Sequence, residues 1–175
     1  GGEYERMTER RRGFINNNGS IAGLKRDEDD TVYSAGAYAQ GEWRFAEKWL
    51  ALAGLRVNRL AFRAADYFVL PGTANLDDSG ERRYRAVTPA AGILYRITPT
   101  ASAYVNAGRG FETPTFAELA NRIGGSGFNF GLAASRSRHL EAGVKAVLAR
   151  GVRVNAALFD IATRDEIAIE SSAGG

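Results

Sequence analysis

His139, Glu141 and Lys145 are side chains of the types that move protons, and they recur at every second position of one short segment. In an extended strand that spacing puts an imidazole, a carboxylate and an ammonium in a row on one face. Acyl transfer needs a nucleophile within hydrogen-bond reach of such a base, and no Ser, Asp or second His stands at a spacing that completes the set. The row reads as wall residues whose alternating charges satisfy one another across neighbouring strands, and no catalytic residue is expected. The acidic run Arg26, Asp27, Glu28, Asp29, Asp30 and the group Asp77, Asp78, Glu81 lack the spacing that wraps calcium. They read as solvated loop carboxylates, with no metal site expected. Gly124, Gly125, Ser126 and Gly127 have no following Lys and no strand-to-helix setting, so a flexible loop is expected there instead of a phosphate cradle. Arg122 and Arg136 are the more informative positives, because a guanidinium fork suits carboxylate or catecholate oxygens.

Composition narrows the classes further. The 175 residues are 45% apolar and 25% charged, and the net charge of +3 is small and dispersed, so no nucleic-acid partner is expected. The absence of cysteine and the single histidine exclude disulfides, thiolate chemistry, Fe–S ligation and multi-histidine metal centres. No apolar run approaches the ~18 residues of a membrane-spanning helix. That test is blind to barrels, whose strands need only about 9 to 11 residues and alternate in character. The N-terminal residues carry no apolar stretch of the signal-peptide kind.

Alternation is the dominant pattern, and it marks strands. From Thr31 to Phe45 one parity reads Tyr33, Ala35, Ala37, Ala39, Trp43, Phe45 and the other Ser34, Gly36, Tyr38, Gln40, Glu42, Arg44. After a short turn at 46–48 the chain returns from Trp49 with Ala51, Ala53, Leu55 and Val57 on one side. Further strands are expected over 84–97, about 100–108, 139–149 and 152 to about 170, with an opening strand up to about Arg12, which makes about seven. Turns at 46–48, 98–99 and 150–151 are short, whereas 13–30, 65–83 and 111–137 read as long polar loops. Short connections on one rim and long ones on the other are the arrangement of an outer-membrane barrel; three structureless loops of that length are rare in a compact soluble domain. Trp43, Phe45, Trp49 and Tyr95 fall beside the short turns, as an aromatic girdle would or as the capped end of a soluble sandwich would. The apolar parities are rich in Ala and Gly, which is weaker strand composition than Val and Ile.

Three blocks carry a family pattern: Tyr38, Ala39, Gln40, Glu42, Trp49, Gly54, Leu55, Arg56; then Pro89, Gly92, Tyr95, Ser102, Tyr104, Gly110, Phe111, Pro114, Thr115, Glu118, Leu119; then Glu141, Gly143, Lys145, Ala157, Phe159. In order and spacing the chain resembles the barrel domain of TonB-dependent outer-membrane receptors. The resemblance implies an all-β, antiparallel up-and-down transmembrane barrel, of which these are about seven strands out of about 22 around a plugged lumen. It implies a receptor that imports a ferric siderophore or similar iron chelate across the bacterial outer membrane. The partners it implies are outer-membrane lipid, the chelate, and the TonB complex reached through an N-terminal region. No resident cofactor is expected. Residues 1–175 read as an internal piece from the C-terminal half of the barrel, with no recognisable plug domain. Within the motif, Gly108 and Gly110 are expected to let the strand leave the rim, Phe111 to bury its ring, and Pro114 to fix φ at the start of an outer loop. Gly110, Phe111, Pro114, Thr115 and Glu118 are thus rim residues. Arg122 and Arg136 are candidate contacts to an anionic chelate, the other reading being contact with lipopolysaccharide phosphates or solvation of the loop. The remaining functional alternatives are a passive porin-like channel and a soluble β-sandwich or lipocalin-like binding module.

Overall fold

The computed structural model describes residues 1–73, 75–120 and 127–168. Seven strands form one antiparallel sheet in sequence order: β1 (Gly2–Asn17), β2 (Ser20–Ala46), β3 (Trp49–Asp66), β4 (Gly80–Thr98), β5 (Ala101–Glu112), β6 (Ser135–Val147) and β7 (Arg153–Arg164). A one-turn helix, α1 (Phe116–Ala120), lies between β5 and β6, and a 3-10 turn (Ala149–Gly151) precedes β7. Every neighbouring pair is hairpin-connected, so the topology is a pure meander. Among the described residues no second sheet opposes it, so the apolar parity enters no protein core and the sheet is not one half of a sandwich.

Exposed area makes the same point. A compact monomer of 18.9 kDa would expose about 8,300 Å², whereas this sheet exposes 12672 Å². Leu55, Val57, Val87, Val105, Leu140 and Leu158 are all exposed. Register puts them on one face, because Leu55 lies opposite Pro89, Val57 opposite Val87, and Val105 and Leu158 each opposite Ala142. The other face carries Gln40, Glu42, Asn106, His139 and Glu141 around a concavity of about 590 Å³. We call the polar, concave face inward and the apolar face outward.

The first connection corrects the expected loop over 13–30. β1 and β2 stay paired, with register shifts at Gly13/Phe14 and Ile15/Asn16, to a two-residue turn at Asn18–Gly19, where both residues have positive φ (48° and 89°). Asn-Gly is the pair that a primed hairpin turn demands. Charge pairing holds the ladder together, since Arg10 Nη2 donates to Asp27 Oδ1 at 2.8 Å and Oδ2 at 3.0 Å, and Arg11 lies 3.3 Å from Glu28 and 3.4 Å from Asp30. The acidic run is therefore one strand of an ion-paired ladder, not a set of solvated loop carboxylates. At ~3.3 Å per residue the 27 residues of β2 extend about 90 Å, far beyond any bilayer.

Other boundaries shift too, since β4 starts at Gly80 instead of 84 and β6 runs from Ser135 to Val147 instead of 139–149. β5 continues through Gly108 and Gly110 to Glu112, so neither glycine lets the chain leave the rim. β7 closes at Arg164, earlier than the expected end near 170. The long connections are 67–79 and 113–134, and the short ones 18–19, 47–48, 99–100 and 148–152.

Among the described residues a compact core sits at the long-loop end, on the inward face. Phe62 and Ala64 of β3 and Tyr84 of β4 pack with Leu119, Phe128 and Ala134 of the 113–134 connection. Phe62 meets Phe116 edge-on at 5.1 Å and Tyr84 at 6.0 Å. The Tyr84 hydroxyl donates to the Leu132 carbonyl at 3.0 Å, so the phenol is satisfied as it is buried.

Candidate functional site at the outer mouth

The motif that opens the β5–β6 connection acts as a helix start. Thr115 Oγ1 accepts from the Glu118 backbone N–H at 3.3 Å, and Glu118 Oε2 accepts from the Thr115 N–H at 2.7 Å and its hydroxyl at 2.9 Å. This reciprocal pair is a capping box, with Pro114 fully buried just ahead of it. α1 then drives Leu119 into the core at 0% exposure, and the Leu119 carbonyl accepts from Asn129 N–H at 2.6 Å. Phe111 is partly buried against the same core. The rim motif thus folds the connection back over the inward face.

Gly110 has a second reason to be glycine. A Cβ there would collide with Ser137 Oγ and approach His139 Nε2 to 3.2 Å. Those two atoms hydrogen-bond at 2.7 Å. Ser137, which the sequence did not single out, stands two residues from His139 on the same face. No carboxylate among the described residues hydrogen-bonds the imidazole, since Glu141 accepts from the Tyr104 hydroxyl and Lys145 lies over the Tyr104 ring at 5.1 Å. The pair lacks the orienting third group of a nucleophilic triad. Gly110→Ala is expected to turn Ser137 away and cost about 0.5–1.5 kcal/mol, read as a changed His139 ring signal by NMR and a lower urea midpoint.

Above this row the mouth is charged. A cleft of about 210 Å³ is lined by Arg11, Lys25 and Arg26 together with Glu28, Asp66 and Asp78. Gly127, at φ 73°, brings the returning connection against Asp78 so closely that a Cβ would lie 2.6 Å from it. Asp30 is only 1% exposed, and one oxygen each of Asp30 and Glu28 is buried without a hydrogen-bond partner. Burial pushes the Asp30 carboxyl up, against the pull of Arg11. Burial, and then the neighbouring Asp30, push Glu28 up as well. With both folded-state values raised, the folded hairpin holds more protons than the unfolded chain above the ordinary carboxylate range, so its stability falls as pH rises through the raised values. Amides of the outer β1–β2 hairpin should therefore be more protected from hydrogen exchange at pH 5 than at pH 8, after correction for intrinsic rates. Asp30→Asn should flatten the difference; equal protection at both pH values in the parent protein would contradict the electrostatics.

These mouth residues were missed because 13–30 read as a loop, although Arg10–Arg12 facing Asp27–Asp30 across Asn-Gly carried the signal. Of the chelate candidates, Arg122 lies outside the described residues, as do Gly124, Gly125 and Ser126 of the expected flexible loop. Arg136 stands on the outward parity of β6, opposite Phe111 and Arg164.

At the opposite rim Trp43, Phe45, Trp49 and Tyr95 form a continuous aromatic strip, with successive ring centroids at 5.3, 6.1 and 4.6 Å. Trp43 is 69% exposed, which does not suit the cap of a buried core. From Trp49 to Arg59 the outward parity of β3 carries only Ala51, Ala53, Leu55 and Val57, an interval that fits the ~9 to 11 residues of a tilted transmembrane strand. Aromatic strip, apolar band, polar concave face and short turns at the aromatic rim together define a segment of an outer-membrane-type β-barrel.

The chain belongs to the TonB-dependent receptor family: the family model described as TonB dependent receptor-like, beta-barrel, matches residues 1–175. It is 31% identical over 112 residues to the metal-pseudopaline receptor CntO of Pseudomonas aeruginosa strain UCBPP-PA14, covering 64% of this chain and 14% of that protein. Among solved structures it resembles the ferric-catecholate import receptor Fiu from E. coli K12, with a TM-score of 0.65 at 17% identity over 90% of this chain and 27% of that one. It also resembles the alcaligin outer membrane receptor FauA from Bordetella pertussis (TM-score 0.53, 24% identity, 78% and 21% coverage). The copper transporter OprC is a third (TM-score 0.55, 16% identity, 83% and 25% coverage). The chain spans 14% of the length of the curated relatives it matches. Family members are receptors that transport, not enzymes, which agrees with the incomplete Ser137–His139 pair.

Proposed function

We propose that these strands form part of the wall of a plugged barrel of about 22 strands in the bacterial outer membrane. The receptor takes up a metal chelate at its outer mouth, with a ferric siderophore as the first candidate cargo, and draws energy from the TonB complex. The similar proteins support a metal-bearing cargo, since they are named for metal-pseudopaline, ferric-catecholate and copper. The observation that carries the reading is the charged cleft above the inward face, where Arg11, Lys25 and Arg26 meet Glu28, Asp66 and Asp78. Guanidinium and ammonium groups suit the anionic oxygens of a chelate. A passive channel is the weaker reading, because the 113–134 connection packs over the inward face and narrows the mouth.

Intact receptor in detergent should bind one class of ferric chelate at low micromolar concentration or tighter, read as quenching of tryptophan fluorescence. Arg11→Gln together with Lys25→Gln should weaken that binding about tenfold or more. Binding of copper or another metal complex in place of every ferric chelate would leave the receptor reading standing and overturn iron as the cargo.

A further inference from the structure

At the aromatic rim the inward face carries a second group of cations, far from the outer mouth. Register sets Arg96 of β4, Ser102 of β5, Lys145 of β6 and Asn155 of β7 side by side in one row across the sheet. Arg153 stands two residues nearer the rim than Asn155, so it extends the row by one step on the same face. With strands ~4.8 Å apart, the backbones of Arg96 and Lys145 are about 10 Å from each other, near enough for one small polyanion to span. These five residues line an open hollow of about 320 Å³, completed by Thr, Pro and aliphatic side chains, and no carboxylate lines it. Among the described residues none of its three cations forms an ion pair, whereas Arg11 and Arg63 both have carboxylate partners. Lys145 is held beside the Tyr104 ring at 5.1 Å.

Charge alternates along the inward wall. Arg11, Lys25 and Arg26 stand at the outer mouth, Glu42 and Glu141 line the concavity midway, and the Arg96 row follows at the aromatic rim. An anion is therefore attracted at both ends and repelled between them. A transported ligand passes best over several sites, each weak enough to leave, and a cleft lined by one sign of charge concentrates the opposite sign. Guanidinium forks suit the paired oxygens of a carboxylate or catecholate, and the Ser102 hydroxyl and Asn155 amide offer donors between them. A hollow of this volume on the concave side admits a citrate-sized group and not a folded partner. We propose that it is a second, inner binding site for the anionic chelate, occupied after cargo leaves the outer mouth and before release. Its occupant rests on the uptake reading, while its affinity for anions rests on the cation row alone.

The test uses full-length receptor carrying a trifluoromethyl tag on Thr100→Cys at the lip of the hollow, with any other cysteine replaced, and citrate as the probe anion. Citrate should shift the fluorine NMR signal of the parent and saturate at millimolar concentration, and R96Q/R153Q should weaken that binding about tenfold. R96K/R153K keeps the charge and should restore most of the response, and salt at about 0.5 M should weaken it in the parent. Heat-modifiable gel mobility verifies that each variant is folded. In cells, R96Q/R153Q should leave chelate binding without TonB within about twofold of the parent and lower maximal TonB-driven uptake about fivefold, the signature of a step after binding. A parent signal indifferent to citrate would overturn the site and assign its cations to carboxylates elsewhere in the receptor. Equal maximal uptake by parent and folded Gln variant would overturn its part in transport. The citrate titration reads the hollow without transport, so a parent that takes up no chelate counts against the uptake reading and not against the anion site.

Discussion

Leu119→Ala is expected to free the 113–134 connection from the inward face while the seven strands remain paired. Leu119 is fully buried among Phe62, Phe128 and Ala134, and no other large side chain of the helix is fully buried. Truncating such a leucine costs about 2–5 kcal/mol, from the lost transfer energy and the cavity left behind. The lower figure alone raises the local opening constant roughly thirtyfold. The change should be local, because this core touches β2–β5 only at their outer parts, while the ladders run far beyond it on their own backbone pairing. Hydrogen exchange should quicken in α1 and around Phe128–Leu132, with β5 and β6 amides below Gly108 unchanged. Uniform acceleration across the sheet would mean that the cap and the sheet are one cooperative unit.

Leu55→Arg should cost about 2–4 kcal/mol in a bilayer, because the side chain stands near the middle of the outward apolar band and hydrocarbon cannot solvate a guanidinium. Leu52→Arg is the matched control. Leu52 lies on the same strand, but at the opposite parity, where it lines the inward concavity beside Glu42 and Asn106. There an arginine reaches water and a carboxylate, and the cost should be near zero. Urea unfolding of both variants in lipid vesicles, followed by heat-modifiable mobility, measures the difference. The reverse order of stabilities would exchange the two faces and undo the lipid-facing assignment.

The strand count and the faces were readable because a period of two is hard to imitate: Trp49 to Val57 and His139 to Leu148 could be assigned to parities from residue types alone. The aromatic strip was readable for the same reason, since Trp43, Trp49 and Tyr95 sit next to short turns. Ends were less readable. β5 runs on past Gly108 because Gly108 and Gly110 stay paired with His139 and Ser137 in the ladder, so Gly-x-Gly looked like an exit and is a close approach to Ser137. The outer β1–β2 hairpin was missed because charge usually marks a loop, and here the opposite charges on facing strands are what hold the strands together. α1 was missed because a five-residue helix has no periodicity, although Thr115 and Glu118 carried its capping box in plain view. The mouth cleft could not be read at all, since it forms only when β1, β2 and two connections meet in space.

The central claim is energised import of a metal chelate, and the most direct measurement is uptake of a radiolabelled ferric chelate by cells carrying the full-length receptor, with and without a working TonB. Accumulation that saturates at low external concentration and vanishes without TonB is the predicted result. Accumulation that is indifferent to TonB and rises linearly with concentration would make the barrel a passive channel and contradict it.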